Sequence, residues 1–206
     1  MSDYHRINYP NQIAQPHLFT FYTTNGYSAN GNNIGGWNRE VTGWVQVDTQ
    51  IFPGTVFSPL STAGGTQYDL QIQYLLYQGN WWLWVKDRWI GYYPASLFGA
   101  GTNAALSLQT QSSQLTFYGE VYDSHPQFTT TDMGSGKFPN AGFGQAAFIR
   151  NIDYTTTGNV QQIFTGGINI VTDTSRYQLE THLSSGGNWG SYVYLGGPGA
   201  GGVVGG

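Results

Sequence analysis

Carboxylates are the side chains in this sequence whose number and setting best offer a chemistry. There are three glutamates, Glu40, Glu120 and Glu180, and eight aspartates among 206 residues. Hydrolysis of an amide by carboxylates needs two that converge on one water. The ionised partner takes a proton from the water, while the protonated one donates to the scissile carbonyl and steadies the developing oxyanion. Two close carboxyls titrate as a pair, so one keeps its proton well above its free pKa and the site works best in acid. Glu120 is the strongest candidate. It lies in the otherwise uncharged run Leu115 to Tyr122 and follows Gly119, which reads as a strand with room for a ligand backbone to approach. The alternative is an exposed strand residue or one half of an ion pair.

Other chemistries lack their residues. Histidines 5, 17, 125 and 182 have no metal-ligand spacing. No Gly-x-Ser-x-Gly elbow occurs, so Gly134-Ser135-Gly136 reads as a turn, and Gly136-Lys137-Phe138 lacks the hydroxyl of a phosphate loop. Zero cysteine removes disulfides, thiolate zinc sites and a cysteine nucleophile. No cofactor is expected. Trp81, Trp82, Trp84 and Trp89 could stack on sugars, although alternation along a strand would turn one set into the core.

The elements that must position these groups read as strands. Phe19 to Thr23 and Val41 to Val47 are rich in β-branched and aromatic residues. Leu70, Ile72 and Tyr74 alternate with Gln71 and Gln73, and Trp81 to Val85, Ile163 to Val171 and Ser191 to Leu195 read similarly. Turn signals such as Asn25-Gly26, Gly64-Gly65, Gly79-Asn80 and Gly186-Gly187 separate them. No helix pattern emerges, and short strands at this spacing predict an all-β, antiparallel β-sandwich. No composition shift breaks the chain before its end, so residues 1–195 are expected to form one domain, followed by a Gly-rich tail over 196–206.

Composition narrows the setting. Charged residues are only 9% of the chain, against about 25% in an average globular protein, so solubility rests on Ser, Thr, Asn, Gln and Gly. That balance suits an extracellular protein or an assembly subunit. The net charge is -4 and the seven Lys and Arg form no cluster, which argues against nucleic acid as a partner. No run of apolar residues is long enough to span a membrane. Met1 to Pro16 is polar and lacks the apolar centre of a signal peptide, so either export uses no such signal or the chain is a mature or truncated form.

The most informative stretch is Thr131 to Ile152, TDMGSGKFPNAGFGQAAFIRNI, beginning eleven residues after Phe117-Tyr118-Gly119-Glu120. With it go Pro16-His17-Leu18-Phe19, Gly43-Trp44-Val45-Gln46, Ser58-Pro59-Leu60-Ser61-Thr62 and Gly91-Tyr92-Tyr93-Pro94. Asn188-Trp189-Gly190-Ser191-Tyr192 and Gly196-Gly197-Pro198-Gly199 complete the set. In these ordered motifs, from about Pro16 to Gly199, the chain resembles the neprosin family, secreted endopeptidases of the glutamic type. The resemblance implies two antiparallel sheets with a cleft on one curved sheet. It also implies hydrolysis of peptides in acid, commonly after proline, through two glutamates.

By that resemblance Glu120 is the second family glutamate. The first precedes an aromatic-proline pair, here Tyr9-Pro10, and counting back reaches Asp3. An aspartate is one methylene shorter, so its carboxyl would stand about an ångström short, a shift that can cost around 100-fold in rate. Glu40 is a fallback: Arg39 and Glu40 match a loop that many relatives close with two cysteines, at the positions of Gly36 and Val41 here. Two classes stay open beside the peptidase. One is a fold that has lost catalysis and serves as a filament or assembly subunit, self-associating through edge strands with its N-terminal strand on a neighbour. The other is a glycan-binding module.

Overall fold

The computed structural model describes residues 16–24, 34–99, 107–121, 129–167, 169, 171 and 173–202. The fold is all-β, and every ladder among these residues is antiparallel. Its helical segments are short 3₁₀ turns. No helix among the described residues is long and apolar enough to cross a membrane. The chain divides into two compact units, one from the described parts of 16–59 and 69–115, the other from those of 60–68 and 116–202.

In the first unit β1 (Phe21–Thr23) pairs with β2 (Gly35–Trp37). A four-stranded sheet is built from β3 (Val45–Gln46), β4 (Ile72–Tyr77), β5 (Asn80–Val85) and β6 (Arg88–Pro94), in the order β3-β6-β5-β4. Gln78 and Gly79 both take positive φ, 49° and 72°, the twist that a two-residue hairpin between β4 and β5 requires. A bulge where β5 meets β6 pairs Leu83 with Gly91 and Trp84 with Trp89, leaving Ile90 as the extra residue. Ile90 thereby joins Leu18, Leu83 and Val85 in one buried cluster. Each such side chain contributes roughly 1.5–3 kcal/mol by leaving water. Gly91 is required by packing: a Cβ there would lie 2.3 Å from Trp44 Cζ2. A second cluster gathers Tyr22, Tyr93 and Phe98, with Trp81 packed against it. Thr20 satisfies the buried Tyr93 hydroxyl at 2.9 Å, and burial pushes that phenol above its ordinary pKa. β4 is an edge of this sheet among the described strands, with Ile72 and Tyr77 exposed.

Several strand readings are shortened. Only Phe21–Thr23 of the 19–23 run is strand, and only Val45–Gln46 of 41–47. Residues 41–43 instead form a bend and turn, held by a hydrogen bond from the Tyr22 hydroxyl to the Thr42 carbonyl.

The second unit holds β7 (Ala147–Ile149), β8 (Asp153–Thr155), β9 (Gln161–Ile163), β10 (Gln178–His182) and β11 (Tyr192–Gly196). β8 and β9 form a hairpin, and β11 is the centre of a sheet ordered β10-β11-β7. Alternation gives that sheet two faces. Ala147, Ile149, Val193, Leu195 and Leu179 pack with Ile152, Met133 and Phe164 into the unit's core. Phe148, Tyr192, Tyr194, Glu180 and His182 take the other side by the same period of two. Gly196 ends β11 where a Cβ would stand 2.1 Å from the Lys137 carbonyl. The chain continues with Gly197 bridged to Met133 and the Ala200 N–H donating to the Thr129 carbonyl.

Candidate functional site

Glu120 lies in the second unit on a stretch, 116–121, that carries no strand ladder, so the strand expected there does not form. Side-chain packing holds it instead. The Phe117 ring meets Phe164 edge-on at 5.6 Å. The open position at Gly119 is filled from within the protein: a Cβ would fall 2.8 Å from Leu195 Cδ1 and 2.9 Å from Met133 Sδ. The glycine therefore admits core side chains, where a ligand backbone was expected. Gly119 is half-buried against these core side chains, while Phe117, Tyr118 and Glu120 are exposed.

The remaining candidates are distributed as follows. Asp3, the expected partner of Glu120, lies outside the described residues, as do His5, His125 and the Tyr9-Pro10 pair. Glu40 is exposed in the turn after β2, in the first unit, its N–H donating to the Trp37 carbonyl. Beside it Arg39 lies 3.9 Å over the Phe52 ring and donates to Gln46. An ideal Cβ on Gly36 would stand 3.6 Å from Val41 Cβ, within the span that a disulfide bridges, so these two positions face each other. His17 is a structural residue, hydrogen-bonded through Nδ1 to the Gly54 carbonyl. Among the described residues no three His, Cys, Asp or Glu gather as metal ligands. Of the tryptophans, Trp81 packs on the Tyr22-Tyr93-Phe98 cluster, while Trp82 lies against Tyr92 at 4.6 Å and Trp89 is exposed.

One set of residues was missed by sequence reasoning. On the sheet face opposite the core, Phe148, Tyr194 and Glu180 lie in one row across β7, β11 and β10, with Tyr192 and His182 in the next. The His182 ring stacks on Tyr192 at 4.5 Å and 11°. Its Nε2 lies 2.8 Å from Glu180 Oε1, without hydrogen-bond alignment. The 185–190 loop lays Trp189 over this face, 5.3 Å from Phe143, 5.0 Å from Tyr192 and 6.0 Å from Tyr194. Arg150 stands 5.5 Å over the Trp189 ring. The result is an open groove of about 490 Å³.

The loop is preformed. Ser191, wholly buried, accepts the Ser184 N–H at 2.8 Å and donates to the Phe164 carbonyl. The Asn151 N–H donates to the Trp189 carbonyl at 2.9 Å. Gly186 and Gly187, with φ of 74° and 62°, supply the reversal between these anchors. Burial pushes the Tyr194 phenol above its ordinary pKa, with Tyr192 and Glu180 acting in the same direction, so its hydroxyl stays neutral. The signal in the sequence was Tyr192 and Tyr194 alternating with Val193 and Leu195. Their neighbours on β10 follow only from the register.

Against known families, residues 7–198 match the Neprosin model, nearly the whole chain. The match spans both units and includes the segment carrying Glu120 and the loop carrying Trp189, and on that extent the chain belongs to the neprosin family.

Proposed function

We propose that this protein is a glutamic-type endopeptidase that works in acid and cleaves after proline, with Glu120 as one of two water-activating carboxylates and Asp3 as the other. The observation that carries the reading is the setting of Glu120. Glu120 is exposed, on a segment held where Gly119 packs against Leu195 and Met133 and the Phe117 ring meets Phe164. A catalytic carboxylate needs both access to substrate and a backbone that does not wander.

In the reaction, the ionised member of the pair takes a proton from water as the oxygen attacks the scissile carbonyl carbon. The protonated member donates to the carbonyl oxygen. Collapse of the tetrahedral intermediate breaks the C–N bond, and a proton passes to the leaving amine. Water, the two carboxyls and the peptide balance this chemistry without a cofactor. Family membership supports an extracellular setting for it.

The test is turnover of a proline-containing fluorogenic peptide between about pH 3 and 5, where a carboxyl pair carries one proton. Glu120→Gln should abolish cleavage while leaving the melting temperature unchanged, and Asp3→Asn should do the same. A wild-type protein inert across that range, or a fully active Glu120→Gln variant, removes the reading.

A further inference from the structure

The groove beneath Trp189 is not used by the proposed hydrolysis, and its lining has a definite chemistry. Four aromatic residues, Phe143, Trp189, Tyr192 and Tyr194, line it together with Ser185, Asn188 and two glycines. None of these side chains is charged. On the same sheet face Glu180 contacts His182, and Arg150 lies over the Trp189 ring. A charged ligand would therefore meet no charged side chain among the described residues that line the groove. Its volume falls in the roughly 300–1,000 Å³ range of small-molecule sites.

The backbone beneath the groove is closed to strand addition. β11, which contributes Tyr192 and Tyr194, is the central strand and is paired on both sides by β10 and β7. A peptide could not join there as a further strand, so main-chain ladder bonds would add nothing to its affinity. What the groove does offer is ring faces at steep mutual angles, Trp189 at 89° to Phe143 and 73° to Tyr192, with neutral hydroxyl and amide groups around them. Asn188 supplies both donors and an acceptor. Ser185 donates to the Gly190 carbonyl at 2.6 Å, which leaves its lone pairs to accept.

From this we propose that the groove is a binding site for a neutral oligosaccharide, separate in chemistry from the carboxylate site at Glu120. Pyranose rings present C–H faces to aromatic planes and hydroxyls, each donor and acceptor, at their rims. That combination matches Trp189, Tyr192 and Tyr194 as platforms and Asn188 and Ser185 as hydrogen-bonding partners.

The test uses the full chain, labelled with ¹⁵N, titrated separately with chitotriose, cellotriose, mannotriose and the tripeptide Ala-Pro-Ala. At least one trisaccharide should shift the Trp189 indole and the Gly186 and Gly187 amides saturably. Trp189→Ala should weaken that binding by roughly tenfold, and Trp189→Phe by less, as expected when one aromatic anchor dominates. Asn188→Ala, an exposed position, should weaken it several-fold and serves if Trp189→Ala fails to fold. Glu120→Gln should bind the sugar as wild type does, which separates this site from the peptidase reading. The proposal is overturned if no trisaccharide moves those resonances at about 10 mM, a limit set for the weakest specific binding. It is equally overturned if Asn188→Ala and Trp189→Phe bind as wild type, or if Ala-Pro-Ala displaces the sugar with higher affinity.

Discussion

Replacing Gly119 by alanine puts the structural account of the Glu120 segment to a quantitative test. The added Cβ would stand 2.8 Å from Leu195 Cδ1 and 2.9 Å from Met133 Sδ. Ordinary contact lies near 3.5–4.0 Å, so each neighbour must retreat by roughly 0.6–1.2 Å. Both clashing atoms are ends of flexible side chains, and both belong to the core of the second unit. Overpacking of this kind costs about 1–3 kcal/mol. Gly119 is not among the positive-φ glycines, so alanine fits the backbone and returns about 0.4–1 kcal/mol through the unfolded chain. The net expectation is a loss of about 1 kcal/mol, a fall in melting temperature of roughly 2–4 °C for a chain of this size. A cycle with Met133→Ala sharpens the test. That substitution alone should cost about 1–2 kcal/mol, less than for a fully buried methionine because Met133 is partly buried, yet it vacates the space that the new methyl needs. The double variant should therefore be about 1 kcal/mol more stable than the sum of the two losses. Urea unfolding followed by circular dichroism measures all four corners. Strict additivity, or a Gly119→Ala variant as stable as wild type, would refute the claim that Met133 and Leu195 occupy this position. If Glu120 is catalytic, Gly119→Ala should also lower kcat, by up to about 100-fold for a displacement near an ångström.

The facing positions Gly36 and Val41 make a second prediction. The Gly36→Cys, Val41→Cys pair should oxidise spontaneously, since the ideal Cβ to Cβ separation is 3.6 Å. Closing so short a loop should stabilise by roughly 2 kcal/mol, offset by about 1 kcal/mol because φ at Gly36 is 152°. Thiol titration and the melting temperatures of oxidised and reduced protein decide it, and thiols that stay titratable under oxidising conditions would contradict the geometry. A third prediction concerns acid. Asp48 Oδ1 accepts the N–H groups of Gln50 and Ile51, each at 2.8 Å. The Ile51 bond first, then Gln50 and Arg88, hold its pKa below the ordinary 3.8. A carboxylate with a depressed folded pKa contributes fully above its unfolded value and loses that contribution as pH falls through the folded one. The stability gap between wild type and Asp48→Asn should thus be flat near neutrality and shrink below about pH 4, as thermal melts across pH would report. A gap that widens in acid would contradict the assignment.

The strands legible in the sequence were those whose side-chain period is local. Asn80–Val85 and Tyr192–Gly196 carry it strongly, and β4 was found from its Gln-spaced apolar residues. β10 was not found, because Gln178-Leu179-Glu180-Thr181-His182 has one apolar residue and becomes a strand by pairing with β11. Val41 to Gly43 failed in the opposite sense: strand-favouring residues there yield to a turn held by Tyr22.

The sequence by itself determined the all-β class, a turn beside Gly79-Asn80, the neprosin family and the prominence of Glu120. These depend on periods, turn residues and motifs read along a single stretch of chain. Tertiary structure alone decided that Gly119 is filled by Met133 and Leu195, and that Glu180 and His182 share a face with Tyr192 and Tyr194. It also decided that Trp189 roofs that face as a groove. Those arrangements join separate segments, and a register or a packing contact between two segments leaves no period in either one.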